Sequence, residues 1–149
     1  MRGTRESIFA ALFAQAQTAN TGNTKIAVMS RRFIPWSQRS NLESPEFYQL
    51  QLPQMSKQNT FGANVWKLHA IWFVYIPVNT DDFKTVVSTT LNNYLDALDN
   101  AISASLPGQK QTLGGLVTNA WIDGDVIVDE GLLSPPALIA IPISIITGI

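Results

Sequence analysis

Hydrophobic positions near the amino terminus repeat with the period of an α-helix. Five apolar residues fall on one stripe of such a helix, namely Ile8, Phe9, Leu12, Phe13 and Ala16. Thr4 is a suitable N-cap, and Glu6 in the first turn is favoured by the helix dipole. The Asn and Gly residues of 18–24 are turn formers. The pattern therefore predicts an amphipathic helix that ends before this turn.

The middle of the chain alternates as strands do. In residues 65–76, VWKLHAIWFVYI, one face is wholly apolar, whereas the other is mixed at its start and apolar at its end. Shorter strands are predicted at 25–33 and 47–52. The polar segment 53–64 contains Gly and Pro and has no period, so we expect a mobile loop or the tip of a long hairpin.

The second half predicts one more helix and two more strands. The polar cluster 79–82 is expected to cap a helix at about 81–105, which Pro107-Gly108 would stop. Its buried stripe consists of Val87, Leu91, Leu95, Leu98 and Ile102. Strands at 116–128 and 137–146 complete the order α-β-β-β-α-β-β. We therefore expect a single α+β domain over 1–149, with a mainly antiparallel sheet of about five strands and two helices packed on one side.

Composition favours a subunit of an oligomer. Hydrophobic residues make up 46% of the chain and charged residues only 14%, against roughly 25% charged in an ordinary soluble domain. Such a surface would leave much apolar area exposed in a monomer. The longest apolar run, 135–146, is too short to span a bilayer, so we expect a soluble protein without a membrane partner.

Charge is divided between the two halves. Residues 1–70 hold eight Lys/Arg against three Asp/Glu, and residues 71–149 hold two against eight. The halves could simply neutralise each other within one fold. Alternatively, a positive face of one subunit meets a negative face of the next. The chain as a whole lacks the basic excess typical of nucleic-acid binding.

Four carboxylates within eight positions raise the question of a metal or acid/base site. They are Asp123, Asp125, Asp129 and Glu130. Their spacing does not match the calcium-binding loop. In a strand, Asp123 and Asp125 would share one face about 7 Å apart, a spacing compatible with an acid/base pair. However, no histidine, nucleophile or lysine lies nearby in sequence, and solvated carboxylates are common at strand ends.

Other candidate chemistry is equally sparse. The absence of cysteine and the single histidine, His69, exclude thiolate and histidine-rich metal sites. No Asp or Ser is placed beside His69 to form a triad, so a surface or sheet-edge histidine is expected. Gly114-Gly115 lacks the lysine of a phosphate loop and predicts a tight turn. We therefore expect neither an enzyme nor a metal or cofactor.

Several stretches, in order, are similar to those of a known family. They are RESIFAALFA (5–14), SRRFIPWSQ (30–38), ESPEFYQLQ (43–51), the strand-to-helix passage 72–103, and GQKQTLGGLVTNAWIDGDVIVDEGLL (108–133). Together with the apolar closing strand, they cover nearly the whole chain. On these stretches the chain resembles the tail terminator (minor tail protein) family of long-tailed bacteriophages.

The resemblance implies a structural virion protein. Such proteins form a ring, usually of six subunits, that caps the tail tube, ends its polymerisation and joins the tail to the head connector. The implied partners are further copies of the chain, the tail tube protein, and a head–tail connector or neck protein. DNA would pass through the lumen without sequence-specific binding. The protein would be assembled in the host cytoplasm and lie in the tail or neck of the virion. The alternative is another neck or tail component, such as a head-completion protein or a tail tube subunit.

The candidate interface residues are charged or aromatic positions from both halves of the chain. They are Arg31, Arg32, Trp36, Arg39, Lys57, Trp121, Asp123, Asp125 and Asp129. In a ring, we expect the arginines of one subunit to meet the aspartates of the next, head to tail.

Overall fold

The computed structural model describes residues 3–58, 61–104, 106 and 108–148. Helix α1 spans Arg5–Gln17 and helix α2 spans Val87–Ile102. The seven described strands are β1 Val28–Ser30, β2 Glu46–Gln51, β3 Met55–Gln58, β4 Asn64–Ile76, β5 Asn119–Ile122, β6 Ile127–Asp129 and β7 Ala137–Thr147. The expected α1 is confirmed together with its cap, because Thr4 Oγ1 accepts a hydrogen bond from the Ser7 N–H.

All seven strands belong to one sheet. Its order is β1-β2-β4-β7-β5, with β3 also paired to β4 and β6 also paired to β7. Strands β1 and β2 are parallel, and every other pair is antiparallel. The α+β class is confirmed. The mainly antiparallel sheet of about five strands is wrong, because the sheet is mixed and has seven strands.

Two differences from the prediction account for the two additional strands, β6 and β3. The predicted strand 116–128 is split, since residues 123–126 face only Pro142 and Ile141 of β7 between the ends of β5 and β6. This bulge includes Gly124 at φ 115°, a conformation that favours glycine. Strand β3 lies in the predicted loop or hairpin 53–64. Its four residues are all exposed, so it lacks the alternation that marks a half-buried strand.

Other elements also begin or end at residues different from those predicted. The strand predicted at 25–33 is only three residues long. Helix α2 starts later than expected, because the Asp82 carboxylate accepts hydrogen bonds from the Lys84 and Thr85 N–H groups and closes a separate turn. The expected tip at 59–60 and the predicted stop at Pro107 lie outside the described residues. The turn at Gly114-Gly115 is confirmed, with both glycines at positive φ.

Both helices pack on one face of the sheet. The core joins buried residues of α1 and α2, such as Leu12 and Leu98, to the apolar face of β4, where Trp72 is wholly buried. The Trp72 indole N–H donates to Gln49 Oε1 at 3.0 Å, and Gln49 Nε2 donates to the Phe9 carbonyl at 2.9 Å. The buried amide is thus satisfied and ties the sheet to α1.

Other segments of the chain cover only part of the opposite face of the sheet. Phe33 packs on Phe73, with ring centroids 4.9 Å apart, and the Tyr75 hydroxyl donates to the Ile34 carbonyl. The Trp36 indole donates to the Pro136 carbonyl at 2.8 Å. Segment 31–45 therefore covers one end of this face, and the polar positions of β4, β5 and β7 occupy the other end.

Candidate assembly surface

The sheet ends in two open edges of opposite charge. We call residues 25–32, which contain β1, the basic edge. Residues 123–130, which contain β6, are the acidic edge. The basic edge contains three basic residues and no acidic one, and the acidic edge contains four acidic residues and no basic one. Among the described strands, β1 pairs only with β2, and β6 only with β7. Three of the eight basic residues of 1–70 and four of the eight acidic residues of 71–149 therefore lie on opposite edges of the sheet.

Two of the candidate arginines are paired within the chain. The Arg31 guanidinium donates to both carboxylate oxygens of Glu6, and the hydrogen bond from Arg31 holds the pKa of Glu6 below its usual value. Arg39 makes a two-pronged contact with the buried carboxylate of Glu46, through Nε at 2.8 Å and through Nη2. Each contact is bidentate, the strong arrangement for an arginine–carboxylate pair.

A tyrosine completes the pair at Arg39. The Tyr48 hydroxyl donates to Glu46 Oε1 at 2.7 Å, and burial together with this carboxylate raises the pKa of Tyr48 to about 12. The hydrogen bond to Glu46 also raises the pKa of Arg39. Arg39 therefore holds segment 31–45 on the sheet, as Trp36 does through Pro136.

The remaining basic candidates face solvent. Arg32 is exposed and, like exposed Lys25, makes no ion pair with any residue that the structure describes. Lys57 is exposed on β3, away from the basic edge. The cations of the basic edge that remain available to a partner are Lys25 and Arg32.

Asp123 is also satisfied within the chain. Its carboxylate accepts a hydrogen bond from the Ser144 hydroxyl at 2.7 Å and lies 3.2 Å from Lys67 Nζ. These two contacts, the Ser144 bond first, hold the pKa of Asp123 below its usual value. Lys67 also lies over the ring of Trp121, 5.8 Å from its centroid. Two candidates, Asp123 and Trp121, thus form a polar cluster with residues that the sequence did not indicate.

His69 belongs to the same cluster, contrary to expectation. Its Nδ1 lies 3.1 Å from Ser144 Oγ, because the β4–β7 register places the two residues directly opposite each other. Of the two positions expected for His69, the sheet edge is wrong, because β4 lies inside the sheet, and the side chain is partly exposed. The residues are 75 positions apart. The available signal was a polar residue interrupting each of two apolar strands.

The order of these groups differs from that of a hydrolase triad. In a triad, the imidazole accepts the serine proton, and the carboxylate binds the other ring nitrogen. Here the Ser144 hydroxyl donates to Asp123, and the His69 Nδ1 contacts the same hydroxyl. Ser144 is also buried. The arrangement holds β4, β7 and the end of β5 together and does not activate the serine as a nucleophile.

The other carboxylates of the acidic edge point outward. Asp125, Asp129 and Glu130 are exposed and make no ion pair with any described residue. Asp129 Oδ1 accepts the Gly131 N–H at 2.8 Å. The expected shared strand face of Asp123 and Asp125 is wrong, because β5 ends at Ile122 and Gly124 turns the chain between them.

A concavity of about 470 Å³ between the end of α2 and β5 is lined by one carboxylate, Asp99, and by no basic side chain. No group of three or more His, Cys, Asp or Glu in the described ranges could hold a metal ion. Neither described helix has the length and apolar character needed to cross a membrane.

Comparison with known proteins does not assign the chain to a family. Neither the scan of protein-family models nor the search of curated proteins finds a match. The function of the chain is therefore inferred from its two charged edges and from the sequence resemblance.

Proposed function

We propose that the chain is a structural subunit that assembles head to tail into a ring and acts as the tail terminator of a long-tailed bacteriophage. The observation that supports this most is the separation of the basic and acidic edges onto opposite sides of one sheet. The resemblance of most of the chain to tail terminators supplies the biological setting.

Opposite charge on opposite edges favours one mode of association. Two basic edges or two acidic edges repel each other, whereas a basic edge attracts the acidic edge of another copy. Contacts between different surfaces repeat from copy to copy and close into a ring when the rotation between neighbours allows it. An open edge strand also presents unpaired N–H and C=O groups that a neighbouring chain can use.

Charge alone would give a weak contact. Exposed ion pairs contribute only about 0–1 kcal/mol each, so apolar burial must supply most of the affinity. The charges set the direction and register of the contact. Repetition around a closed ring then multiplies a small preference.

In the proposed role, the ring sits on the end of the tail tube, stops its growth and presents a surface to the head–tail connector or neck protein. DNA passes through the lumen without sequence-specific contacts. The protein acts as a building block of the virion, and its function requires no catalytic group or cofactor.

Sedimentation velocity and electron microscopy of the purified protein test this proposal. We expect a single closed oligomer, most simply a six-membered ring, which halts elongation when it is added to growing tail tubes. A protein that remains monomeric at micromolar concentration would overturn the proposal. Long tubes formed by the protein alone would also overturn it, in favour of a tube subunit.

A further inference from the structure

An exposed apolar segment lies beside the carboxylates of the acidic edge. We call residues 127–133, which comprise β6 and the turn after it, the tongue. Its four large apolar side chains, 44% to 102% exposed, are Ile127, Val128, Leu132 and Leu133. Contiguous exposed apolar groups with a charged rim are typical of protein-binding surfaces.

The tongue is held outward by its backbone. Strand β6 pairs with residues 138–140 of β7, and the Gly131 N–H is bound by Asp129. Gly131 has φ 69°, and a Cβ there would lie 2.6 Å from the backbone N of Ala137. This close packing fixes the turn against β7. The leucines that follow are therefore presented to solvent by an ordered frame.

We infer that the tongue docks against the basic edge of a second copy of this chain; the inference rests on the ring proposed above and names its contact surfaces. The basic edge offers exposed Ala27 and Val28 between Lys25 and Arg32, two cations that make no ion pair with the described part of the chain. The tongue offers apolar side chains on both sides of the exposed carboxylates Asp129 and Glu130. The two surfaces thus match in both apolar character and charge.

Strand directions define the geometry of the contact. Strand β1 is parallel to β2, β2 and β7 are each antiparallel to β4, and β6 is antiparallel to β7. Strands β6 and β1 of one copy therefore run in opposite directions. In a ring whose axis runs parallel to the strands, these directions are preserved from copy to copy, and β6 would meet β1 of the next copy antiparallel. Both strands are only three residues long, so few backbone hydrogen bonds form and the leucines contribute most of the affinity.

The first test removes the apolar surface. The double variant Leu132→Ser with Leu133→Ser is compared with a matched control, Phe83→Ser with Val86→Ser, which alters two other highly exposed apolar residues that belong to neither the tongue nor the basic edge. Because all four side chains are exposed, circular dichroism should show both variants folded. We expect the tongue variant to weaken association between copies by roughly 100-fold and the control to assemble like the wild type.

Sedimentation separates the two proposals. A tongue variant that forms the wild-type ring would overturn the tongue contact while leaving the ring intact. A control variant that dissociates as readily as the tongue variant would also overturn it. A wild-type protein that is itself monomeric would overturn the ring.

Cross-linking provides an independent test, because the chain contains no cysteine. We expect Val28→Cys combined with Leu133→Cys to give a ladder of disulfide-linked copies up to the closed ring under mild oxidation. The two single variants mixed should give linked dimers. Cross-linking of Leu133→Cys with itself, or no ladder from the double variant, would contradict the proposed contact.

Discussion

Both ends of the acidic edge carry carboxylates, but these carboxylates lie in opposite environments. Asp123, at the end of β5, is bound by Ser144 and Lys67 of its own chain. Asp125 and Glu130, on either side of β6, are exposed and make no ion pair with described residues. Gly124, at φ 115° within the bulge at 123–126, turns the chain between Asp123 and Asp125. Carboxylates a few positions apart therefore serve different purposes, one holding the sheet and the others facing outward.

The same distinction applies to the basic residues. Arg31 and Arg39 are bound by Glu6 and Glu46, whereas Arg32 faces solvent. Net charge along the sequence does not reveal which groups are already paired. Fewer charged residues are consequently available to a partner than the sequence contains. Only the charged residues that make no ion pair with described residues should affect assembly without affecting the fold.

The largest loss of stability should come from changing Gly131, which packs the tongue against β7. Gly131→Ala places a Cβ against the backbone of Ala137 at positive φ. We expect the free energy of unfolding to fall by about 1–3 kcal/mol, measured by urea denaturation of the dissociated protein. Gly114→Ala is the control, because it has a similar φ but no atom within 4 Å of the added Cβ. Equal losses for the two variants would show that close packing does not constrain the tongue.

A smaller loss is expected at the paired end of the edge. Ser144→Ala removes the hydroxyl that links His69 and Asp123, and should lower the free energy of unfolding by about 1–2 kcal/mol. Ser56→Ala, on the exposed face of β3, should change it by less than about 0.5 kcal/mol. If both variants unfold at the same urea concentration, the polar cluster contributes nothing to stability.

The same cluster predicts a pH dependence. The pKa of Asp123 is lowered in the folded protein, so its contribution is fully present above the ordinary value of 3.8 and is lost as the pH falls through the lower folded value. The stability difference between the wild type and Asp123→Asn should therefore shrink from pH 6 towards pH 2. A difference that stays constant over this range would contradict the assignment.

The smallest effect on stability should come from the exposed carboxylates. Asp125→Asn with Glu130→Asn removes two charges that make no ion pair with described residues, and should change the free energy of unfolding by less than about 0.5 kcal/mol. Thermal unfolding of the dissociated subunit measures this. A loss as large as that of Ser144→Ala would mean that the two ends of the acidic edge do not differ.

Periodicity predicted the elements that bury one face. Helix α1, with its Thr4 cap, and the long strands β4 and β7 follow directly from their apolar patterns, and so does the α+β class. Strand β3 escaped prediction because it is exposed on both faces and has no alternation to detect. The parallel β1–β2 pair depends on how segment 31–45 crosses the sheet, which no local pattern records.

The polar cluster escaped prediction for a related reason. His69 and Ser144 meet only through the register of β4 and β7, and the Gly124 bulge then directs Asp123 back towards them. Local sequence shows the residue types but not these pairings. The charge asymmetry, in contrast, was visible in the sequence, and the structure places part of it on opposite edges of the sheet.

Mixing two charge-reversed variants tests most directly whether the opposite edges meet. Asp125→Lys with Glu130→Lys places two lysines opposite Lys25 and Arg32 of the next copy, and Lys25→Glu with Arg32→Glu places two carboxylates opposite its Asp125 and Glu130. Asp129 is left unchanged because its side chain accepts the Gly131 N–H. We expect each variant alone to remain dissociated in sedimentation velocity, since like charges now oppose each other. An equimolar mixture should restore a closed ring of alternating copies. Rings formed by either variant alone, or a mixture that stays dissociated, would contradict head-to-tail assembly through these edges.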